Sequence, residues 1–330
     1  MNERKNKKII ISGATGLIGK ALVGHLLNDG AEIFVITRNE EKAKNLWGSD
    51  ARIHIIQSDI TDVPLEDFGA DYIIHGAACT SSKAFINEPS DVMRINFMGT
   101  QRMLELARVN RVSSFVYLST MEVYGCPSTD EKIAENHATN LDTMSARSSY
   151  PESKRACENV CSAYASQYGI PAKVVRLTQT FGPGVEYNDG RVFAEFARCV
   201  IEGRNIVLHT KGETKRCYLY TEDAVSAILT VLEKGGVSEA YNAANEDTYC
   251  SVYEMAKLAA GLSPDKKTEV IIEEADAEEI RKRGFAPTLK MNLDTSKLQS
   301  LGWKPETGLE EMFRNLIEDM KLRRNVSESD

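Results

Sequence analysis

Tyr150 and Lys154, four positions apart, form the pattern in this chain that points most directly to catalysis. Residues four apart on a helix share a face, so the lysine ammonium would stand beside the phenol. A neighbouring positive charge favours phenolate, and we expect it to lower the pKa of Tyr150 toward the working pH. Such a tyrosine can remove the proton of a substrate hydroxyl while a hydride leaves the carbon that bears it. The ammonium could also hold the ribose of a nicotinamide.

A second polar segment directly follows the apolar run at 114–119. In it, Thr120 could hydrogen-bond the same substrate oxygen that Tyr150 deprotonates. A Tyr-x-x-x-Lys pair alone often occurs by chance on a protein surface. A hydroxyl, a tyrosine and a lysine in this order and topology argue against a chance arrangement.

Three glycines, Gly13, Gly16 and Gly19, stand between a short apolar strand pattern at 8–11 and a helical pattern that begins at Leu17. Strand, glycine turn and helix are the context of a dinucleotide-binding turn, because residues without Cβ let the backbone approach a pyrophosphate at a helix N-terminus. An ordinary tight turn is the alternative. The predicted cofactor contacts in this segment are Gly13, Thr15, Gly16, Leu17, Ile18 and Gly19.

The residues after the second strand bear on the choice of cofactor. Thr37 stands where a protein specific for NAD usually has an acid for the ribose 2′-hydroxyl, and Arg38 follows it. An arginine can pair with a 2′-phosphate, although Arg38 could also be a solvated residue at a helix start. We therefore predict NAD(P), with NADP slightly favoured.

The third and fourth strands end in further candidate cofactor contacts. Asp59, followed by Ile60, could cap the next turn or accept from the adenine amino group. After the fourth strand, the small residues Ala77 and Ala78 would let the backbone pass close to a cofactor. We interpret His75, just before them, as a satisfied buried side chain rather than a catalyst.

Apolar runs alternate with helical patterns through the first half of the chain. Short strands between long helices predict right-handed βαβ units and a parallel sheet covered on both faces. The predicted fold class is α/β, a Rossmann doubly wound sheet with a smaller C-terminal α/β lobe. We expect residues 1–180 to form the dinucleotide-binding domain, a strand near 240–244 to return to it, and residues 181–330 to form mainly the substrate lobe. The predicted strands are 8–12, 32–37, 53–57, 71–75, 114–119 and 172–177, and the predicted helices are 17–29, 90–109 and 148–168.

Composition excludes several classes of protein. The net charge of −8 argues against nucleic acid as the main partner. No stretch approaches the roughly 18 apolar residues of a membrane span, and glycines interrupt the apolar run after the basic start. The seven cysteines form no Cys-x-x-Cys pair, and the five histidines show no metal-ligand spacing. We expect a cytoplasmic protein with reduced thiols and no metal.

Taken together, the motifs resemble the extended short-chain dehydrogenase/reductase family, the NAD(P)-dependent epimerases, dehydratases and decarboxylases of nucleotide sugars. The likeness covers nearly the whole chain, and segments around Tyr150, Asn188 and Arg216 are most similar to UDP-glucuronate decarboxylases. It implies a UDP-sugar as substrate, transient oxidation at C4, a cofactor contact at Asn96, and a homodimer formed through the helices at 90–109 and 148–168. The substrate-binding residues it implies are Thr80, Gln179, Asn188, Arg191 and Arg216. Arg216 would pair with phosphate; a solvated strand-end charge is the alternative.

Because of two departures from the family pattern, the resemblance does not assign a single type of reaction. Gln179 replaces an asparagine of the decarboxylases, and Met121 replaces the aspartate with which 4,6-dehydratases protonate the departing hydroxyl. Ordinary 4,6-dehydration is therefore disfavoured, whereas decarboxylation, epimerisation and 5,6-dehydration remain. The resemblance implies that Glu122 is the second acid or base, which acts at C5; a turn residue far from substrate is the alternative. An NADPH-consuming 4-ketoreductase is one alternative. Another is a non-catalytic NADP-sensing or scaffold protein, against which the presence of Thr120, Tyr150 and Lys154 argues.

Overall fold

The computed structural model describes residues 4–264, 267–275 and 288–327, which contain thirteen strands and ten α-helices. The strands are β1 (Lys8–Ser12), β2 (Glu32–Thr37), β3 (Ile53–Gln57), β4 (Tyr72–His75), β5 (Ser114–Thr120), β6 (Ala172–Leu177), β7 (Gln179–Phe181), β8 (Ile206–Leu208), β9 (Lys215–Tyr220), β10 (Ala240–Ala243), β11 (Asn245–Ser251), β12 (Val270–Ile272) and β13 (Lys290–Met291). The helices are α1 (Leu17–Asn28), α2 (Glu40–Trp47), α3 (Ser82–Asn87), α4 (Pro89–Asn110), α5 (Ser149–Tyr168), α6 (Val192–Glu202), α7 (Thr221–Lys234), α8 (Val252–Gly261), α9 (Ser296–Gln299) and α10 (Leu309–Ser327).

Seven parallel strands form the central sheet in the order β10-β6-β5-β4-β1-β2-β3. The order of the strands reverses between β1 and β4, and in such sheets ligands bind at the carboxyl ends of the strands beside this point. The doubly wound α/β fold predicted from the sequence is confirmed. The strand predicted near 240–244 pairs with β6 at the edge of this sheet, with Tyr241 opposite Val175.

Alternating residues of β1 show why the sheet is covered on both faces. Ile9 and Ile11 belong to a core that also holds side chains of α1 and α7, whereas Ile10 belongs to a core with side chains of α4 and α5. All three are almost completely buried. A strand buried on both faces is apolar without alternation, which is the pattern that the sequence shows.

The residues after β6 also build two smaller sheets and a separate core. β9 pairs with β7, β11 and β13, and β8 pairs with β12. Side chains of α6, α8 and α10 pack against these strands, with Phe181, Phe193 and Phe313 in contact at the centre. The C-terminal part of the chain therefore contains a smaller α/β lobe, as predicted, although β10 returns to the central sheet.

Helices α4 and α5 pack along one another beside the carboxyl ends of β4 and β5. Asn96 of α4 donates from Nδ2 to Ser153 Oγ at 2.9 Å, and the Cys157 thiol contacts the Asn96 carbonyl at 3.3 Å. This contact fixes the face of α5 that carries Tyr150 and Lys154. None of the helices in the described ranges is long and apolar enough to cross a membrane.

Candidate active site

A cleft of about 360 Å³ lies at the carboxyl ends of β1, β4, β5 and β6. It brings together two groups of predicted residues that are far apart in the sequence. The glycine turn lines one part, and the residues after β5 and at the start of α5 line another. The predicted residues that line it are Gly13, Gly16, Leu17, Ile18, Gly19, Ala78, Thr80, Thr120, Glu122, Tyr150, Lys154, Gln179 and Arg191.

The glycine turn has the geometry of a phosphate-binding turn. Gly13 has φ +75°, and a Cβ placed on it would lie 2.7 Å from the carbonyl carbon of Gly76. A Cβ on Gly19 would lie 2.2 Å from the Gly13 oxygen. Gly16 precedes α1 and makes no side-chain cap, so the first N–H groups of the helix face the cleft without a competing side-chain acceptor. These features fit a dinucleotide pyrophosphate.

Arg38 and Asp59 lie at the ends of β2 and β3, outside the residues that line the cleft. Arg38 is exposed. Asp59 accepts from the backbone N–H of Thr61 at 3.0 Å and from its hydroxyl at 2.8 Å, and these bonds lower the pKa of the carboxyl. Asp59 therefore caps its turn, one of its two predicted roles, while contacts of either residue with adenine or ribose stay predictions.

The remaining predicted cofactor residues are not among those that line the cleft. Asn96 is buried and accepts from the Cys79 N–H at 3.0 Å, which ties the loop after β4 to α4. The Ala77 N–H donates to Ser12 Oγ at 3.2 Å. Ile60 is buried against Gly99, and Thr15 lies half-buried in the glycine turn. Direct cofactor contacts of these four residues stay predictions.

His75 is the satisfied buried side chain that the sequence predicts. Its Nδ1 lies 2.6 Å from Ser12 Oγ, and its Nε2 lies 3.1 Å from Thr100 Oγ1. Burial, with a smaller effect of the Lys154 charge, lowers the pKa of His75 to about 3. The imidazole is therefore neutral at physiological pH and serves to join β1, β4 and α4.

Lys154 is buried on the inner face of α5. Its Nζ donates to the Leu118 carbonyl at 2.8 Å and lies 5.9 Å from the centre of the Tyr150 ring. Burial lowers the pKa of this ammonium to about 8. The predicted helix face is confirmed, since Tyr150 and Lys154 both line the cleft from α5.

The expected lowering of the Tyr150 pKa is wrong for the protein alone. Burial raises the pKa of the phenol, the negative charge of Glu122 raises it further, and a hydrogen bond with Thr120 and the charge of Arg147 oppose the rise. The Lys154 ammonium, which donates to the Leu118 carbonyl, does not offset the effect of this burial. The phenol is therefore protonated in the protein without ligands.

Glu122 lies in the cleft on a short 3-10 turn, Met121–Tyr124, that directly follows β5. Its Oε2 accepts from Arg147 Nη2 at 3.1 Å. The Arg147 guanidinium also lies 4.8 Å from the centre of the Phe85 ring, which stacks on Tyr150 at 4.4 Å. The structure therefore places an acid, a cation and the Tyr150 phenol close together at the cleft, while contact of Glu122 with substrate stays a prediction.

The predicted substrate-binding residues divide into two groups. Thr80, Gln179 and Arg191 line the cleft, and the amide oxygen of Gln179 is buried without a hydrogen-bond partner among the described residues. Arg191 is turned toward Asp189, with 2.6 Å between Nη2 and Oδ2. Asn188 is exposed before α6, and Arg216 is half-buried on β9; neither is among the lining residues. Substrate contacts of all five residues stay predictions.

Sequence reasoning did not assign roles to Arg147, Phe85 or Thr178. Arg147 and Phe85 reach Tyr150 through a 3-10 turn and a short helix, whose positions no periodicity reveals. The Thr178 hydroxyl lies 3.2 Å from the sulfur of Met121, which lines the cleft beside Glu122. The only signal for Arg147 was its place three residues before Tyr150.

A family model matches most of the chain. Residues 9–244 match the NAD dependent epimerase/dehydratase family. UDP-glucuronic acid decarboxylase 3 of Arabidopsis thaliana is 31% identical over 328 residues, which cover 97% of this chain and 91% of that protein. UDP-glucuronic acid decarboxylase 1 of Xenopus tropicalis is 30% identical over 321 residues, which cover 96% of this chain and 73% of that protein.

Solved structures share the fold at lower identity. A UDP-glucose 4-epimerase from Thermotoga maritima with UDP-glucose superimposes with a TM-score of 0.81 at 23% identity, covering 97% of this chain and 99% of that one. A UDP-glucuronic acid 4-epimerase from Bacillus cereus, in complex with UDP-glucuronic acid and NAD, gives a TM-score of 0.80 at 21% identity, covering 96% and 99%.

The glycine turn, the Tyr150–Lys154 face of α5 and the family match over most of the chain agree with each other. The family resemblance deduced from the sequence motifs is confirmed. This chain belongs to the NAD dependent epimerase/dehydratase family of enzymes.

Proposed function

We propose that the chain decarboxylates a UDP-linked hexuronic acid after transient oxidation at C4. The observation that carries this proposal is the position of Arg147, whose guanidinium lies beside Glu122 and above the Phe85 ring that stacks on Tyr150. A sugar that presents its C4 hydroxyl to Tyr150 would bring its C6 group near this cation. A guanidinium matches a carboxylate in charge and geometry.

In this proposal, Tyr150, Thr120 and Lys154 each have a separate role in the oxidation at C4. Tyr150 accepts the proton of the C4 hydroxyl, Thr120 hydrogen-bonds the same oxygen, and Lys154 keeps the local charge positive. The bound dinucleotide supplies the hydride acceptor and a positive charge on its oxidised ring. That charge would lower the pKa of Tyr150, which burial raises in the protein alone.

The loss of carbon dioxide needs no acid at Met121. With a ketone at C4, the sugar is a β-keto acid, so the bond between C5 and C6 breaks and its electron pair forms an enolate. Glu122, after taking up a proton from solvent, can pass it to C5; a hydride from the reduced dinucleotide would then return to C4 as Tyr150 returns its proton to the C4 oxygen. The Met121 thioether cannot protonate a departing hydroxyl, which disfavours ordinary 4,6-dehydration.

Epimerisation at C4 is the second candidate. It is supported by the fold similarity to the two 4-epimerases, one of which was solved with UDP-glucuronic acid and NAD. This reaction needs the 4-keto sugar to turn over in the cleft, and it transfers no proton at C5. Glu122 would then be dispensable for chemistry, whereas decarboxylation and 5,6-dehydration both use an acid or base there.

For the cofactor we propose a preference for NADP over NAD. Arg38 is exposed directly after β2, and the buried Thr37 offers no carboxylate for a ribose 2′-hydroxyl. The charge of Arg38 lowers the pKa of Asp59, so the guanidinium stands near the predicted adenine edge. Comparing the content of the two dinucleotides in the purified protein and in Arg38→Ala tests this choice; NAD alone in both would contradict it.

We further propose that residues 1–180 bind the dinucleotide and that residues 181–330 mainly bind the sugar nucleotide. We also propose a cytoplasmic homodimer in which α4 and α5 pack against the same helices of the second copy. Met93, Phe97 and Met98 of α4 are large apolar side chains that are each more than a third exposed. Sedimentation of wild type and Phe97→Glu tests the dimer. All seven cysteines are free thiols, in keeping with a reducing compartment.

Mass spectrometry of the purified protein incubated with UDP-glucuronate, without added cofactor, tests the reaction. Decarboxylation removes the mass of carbon dioxide, dehydration removes that of water, and epimerisation gives a new chromatographic peak at unchanged mass. A change only when NADPH is supplied, with two hydrogens gained by a keto sugar, would replace the proposal by the 4-ketoreductase. Binding without any conversion would favour the sensing or scaffold alternative.

Arg147→Gln tests the observation behind the proposal. We expect the affinity for UDP-glucuronate to fall roughly 10- to 100-fold while that for UDP-glucose, which lacks the carboxylate, stays nearly unchanged. Arg155→Gln is the matched control, because Arg155 lies on α5 outside the residues that line the cleft. Equal losses for both sugars would contradict the carboxylate assignment.

A further inference from the structure

A second cavity of about 410 Å³ lies on the other side of β6 from the cleft. It is a groove between α5, β6, β10 and the segment 137–139, and it shares no lining residue with the cleft. Ala172, Val174 and Arg176 of β6 face the groove, whereas Leu177 at the end of this strand lines the cleft. The alternation of side chains along the strand therefore separates two sites that are back to back.

Arg176 connects the groove to three segments of the chain. Its Nε and Nη2 donate to the Glu158 carboxylate of α5, the latter at 2.7 Å. Its Nη1 donates to the Tyr124 hydroxyl and to the Glu135 carbonyl, both at 2.8 Å. The side chains of Arg176 and Glu158 are only 14% and 12% exposed, so this is a largely buried ion pair with its hydrogen bonds satisfied.

The partners of Arg176 hold both ends of the catalytic segment, defined as Ser119 to Tyr124. At its start, the Ser119 hydroxyl donates to Glu158 Oε1 at 2.5 Å, and Ser119 is bonded directly to Thr120. At its end, the Tyr124 hydroxyl accepts from Arg176 and donates to Asn242 Oδ1 at 2.7 Å. Thr120 and Glu122 lie between these two anchors and face the cleft.

We propose that Arg176, acting through Glu158 and Tyr124, is a positioning residue that holds Thr120 and Glu122 in place from the groove side. Arg176 does not line the cleft, so its effect on the reaction passes through the catalytic segment. One planar guanidinium makes all these bonds in fixed directions, which a lysine ammonium cannot reproduce. The groove leaves this guanidinium within reach of small solutes from outside.

The proposal requires the transient oxidation at C4 in the proposed function. It does not depend on whether the sugar is then decarboxylated, dehydrated or epimerised. Without the guanidinium, the buried Glu158 carboxylate loses the cation that it bonds, and Tyr124 loses a donor. Both changes loosen the catalytic segment. A shift of Thr120 or Glu122 by about 1 Å is enough to cost on the order of 100-fold in rate, although substrate binding elsewhere is intact.

Chemical rescue through the groove is the decisive experiment. Arg176→Ala is measured with the nucleotide sugar that wild type converts, with and without millimolar guanidinium or methylguanidinium. We expect kcat to fall at least about tenfold with KM changed less than about threefold, and the added cation to restore a large part of kcat. Arg176→Lys should keep the charge and still lose most of the rate. Arg155→Ala is the control, because Arg155 lines the same groove and bonds Glu152 of its own helix.

Hydrogen exchange provides a readout that needs no substrate. In Arg176→Ala, exchange should rise in the peptide that contains residues 118–125 and fall again with guanidinium, while β1 to β4 stay protected. If Arg176→Ala does not fold, Ser119→Ala, which cuts one anchor without leaving a charge, should give the same local rise and a smaller loss of kcat. Unchanged exchange and kcat, or a rise throughout the chain without rescue, would overturn the proposal. If wild type converts no nucleotide sugar, the proposed function fails while this exchange result still decides the role of Arg176.

Discussion

The proposed nucleotide end and the proposed sugar end of the cleft are built in different ways. At the nucleotide end, one continuous segment from Gly13 to Gly19 provides backbone atoms, and its geometry depends on side chains being absent. At the sugar end, side chains from separate segments meet, among them Phe85, Glu122, Arg147 and Gln179. The local sequence therefore determines the geometry of the nucleotide end, whereas the side chains of the sugar end meet only once the sheet has formed.

The two ends also differ in electrostatics. Backbone N–H groups at the start of α1 carry partial charges that no pH change alters. The sugar end holds titratable groups in mutual contact, and burial raises the pKa of Tyr150 and lowers that of Lys154 to about 8. We expect substitutions at the nucleotide end to act on cofactor retention, and substitutions at the sugar end to act on rate, pH dependence and stability.

Gly13→Ala should have the largest effect. The added Cβ would lie within 3 Å of the Gly76–Ala77 peptide at a positive φ, so the turn must move and bound dinucleotide and activity should both be lost. Gly24→Ala on α1 is the matched control, because its Cβ meets no atom within 4 Å. Extraction and quantification of the dinucleotide measures the effect. A full cofactor load in Gly13→Ala would mean that the turn is not the binding element.

Tyr150→Phe should follow in size. Without the hydroxyl, turnover should fall by roughly 100- to 10,000-fold, while the stack on Phe85 and the binding of the sugar nucleotide remain nearly unchanged. Steady-state kinetics together with calorimetric titration measures the two quantities separately. Unchanged turnover would remove Tyr150 from the mechanism.

Glu122→Gln should change the pH dependence of the oxidation at C4. The Glu122 charge raises the pKa of Tyr150, so its removal should lower that pKa and move the rising limb of the rate to lower pH. Single-turnover absorbance of the reduced nicotinamide follows this step by itself. Glu152→Gln, outside the cleft, serves as control. A shift to higher pH would contradict the assigned charge effect, and full overall turnover would favour epimerisation.

Lys154→Met should have the smallest effect of these substitutions, an increase in the free energy of unfolding. The pKa of Lys154 is about 8 in the folded protein and 10.5 for a lysine side chain in water, so between these values the unfolded state binds more protons and stability rises with pH. The cost of burying the charge is therefore present in full below pH 8 and disappears by about pH 10.5. At neutral pH the variant should therefore be more stable than wild type by at most about 3 kcal/mol. Loss of the hydrogen bond to the Leu118 carbonyl reduces this gain.

Denaturant unfolding across this pH range measures the difference between the two proteins. Lys42→Met on the exposed part of α2 is the control for the loss of a surface ammonium. A difference that does not shrink as pH rises toward 10.5 would mean that burial of the charge is not its cause.

Residues in local patterns were predictable from the sequence. The glycine turn, the strands of the central sheet and the shared face of Tyr150 and Lys154 follow from spacing and apolar periodicity over a few residues. The helix predicted at 17–29 ends at Asn28, and the strand predicted at 71–75 begins at Tyr72. Such boundary shifts reflect terminal residues, where packing decides more than pattern does.

The pKa of Tyr150 and the partners of Glu122 were not predictable in this way. The tyrosine–lysine spacing suggested a lowered pKa, but the depth of burial of both groups comes from β5, α3 and α4 packing around them. Arg147 reaches Glu122 across 25 positions, and Arg176 reaches Tyr124 across 52. No periodicity encodes contacts of this kind.

The sequence by itself determined that this chain forms a doubly wound sheet with a phosphate-binding turn and a tyrosine–lysine pair at its carboxyl edge, because these features depend on residues close together in the chain. The tertiary structure alone decided what surrounds that pair: the acid–arginine contact at the sugar end, the desolvated ammonium, and the buried guanidinium behind β6. Their energies depend on distance and solvent exposure, and both are fixed only when distant segments pack.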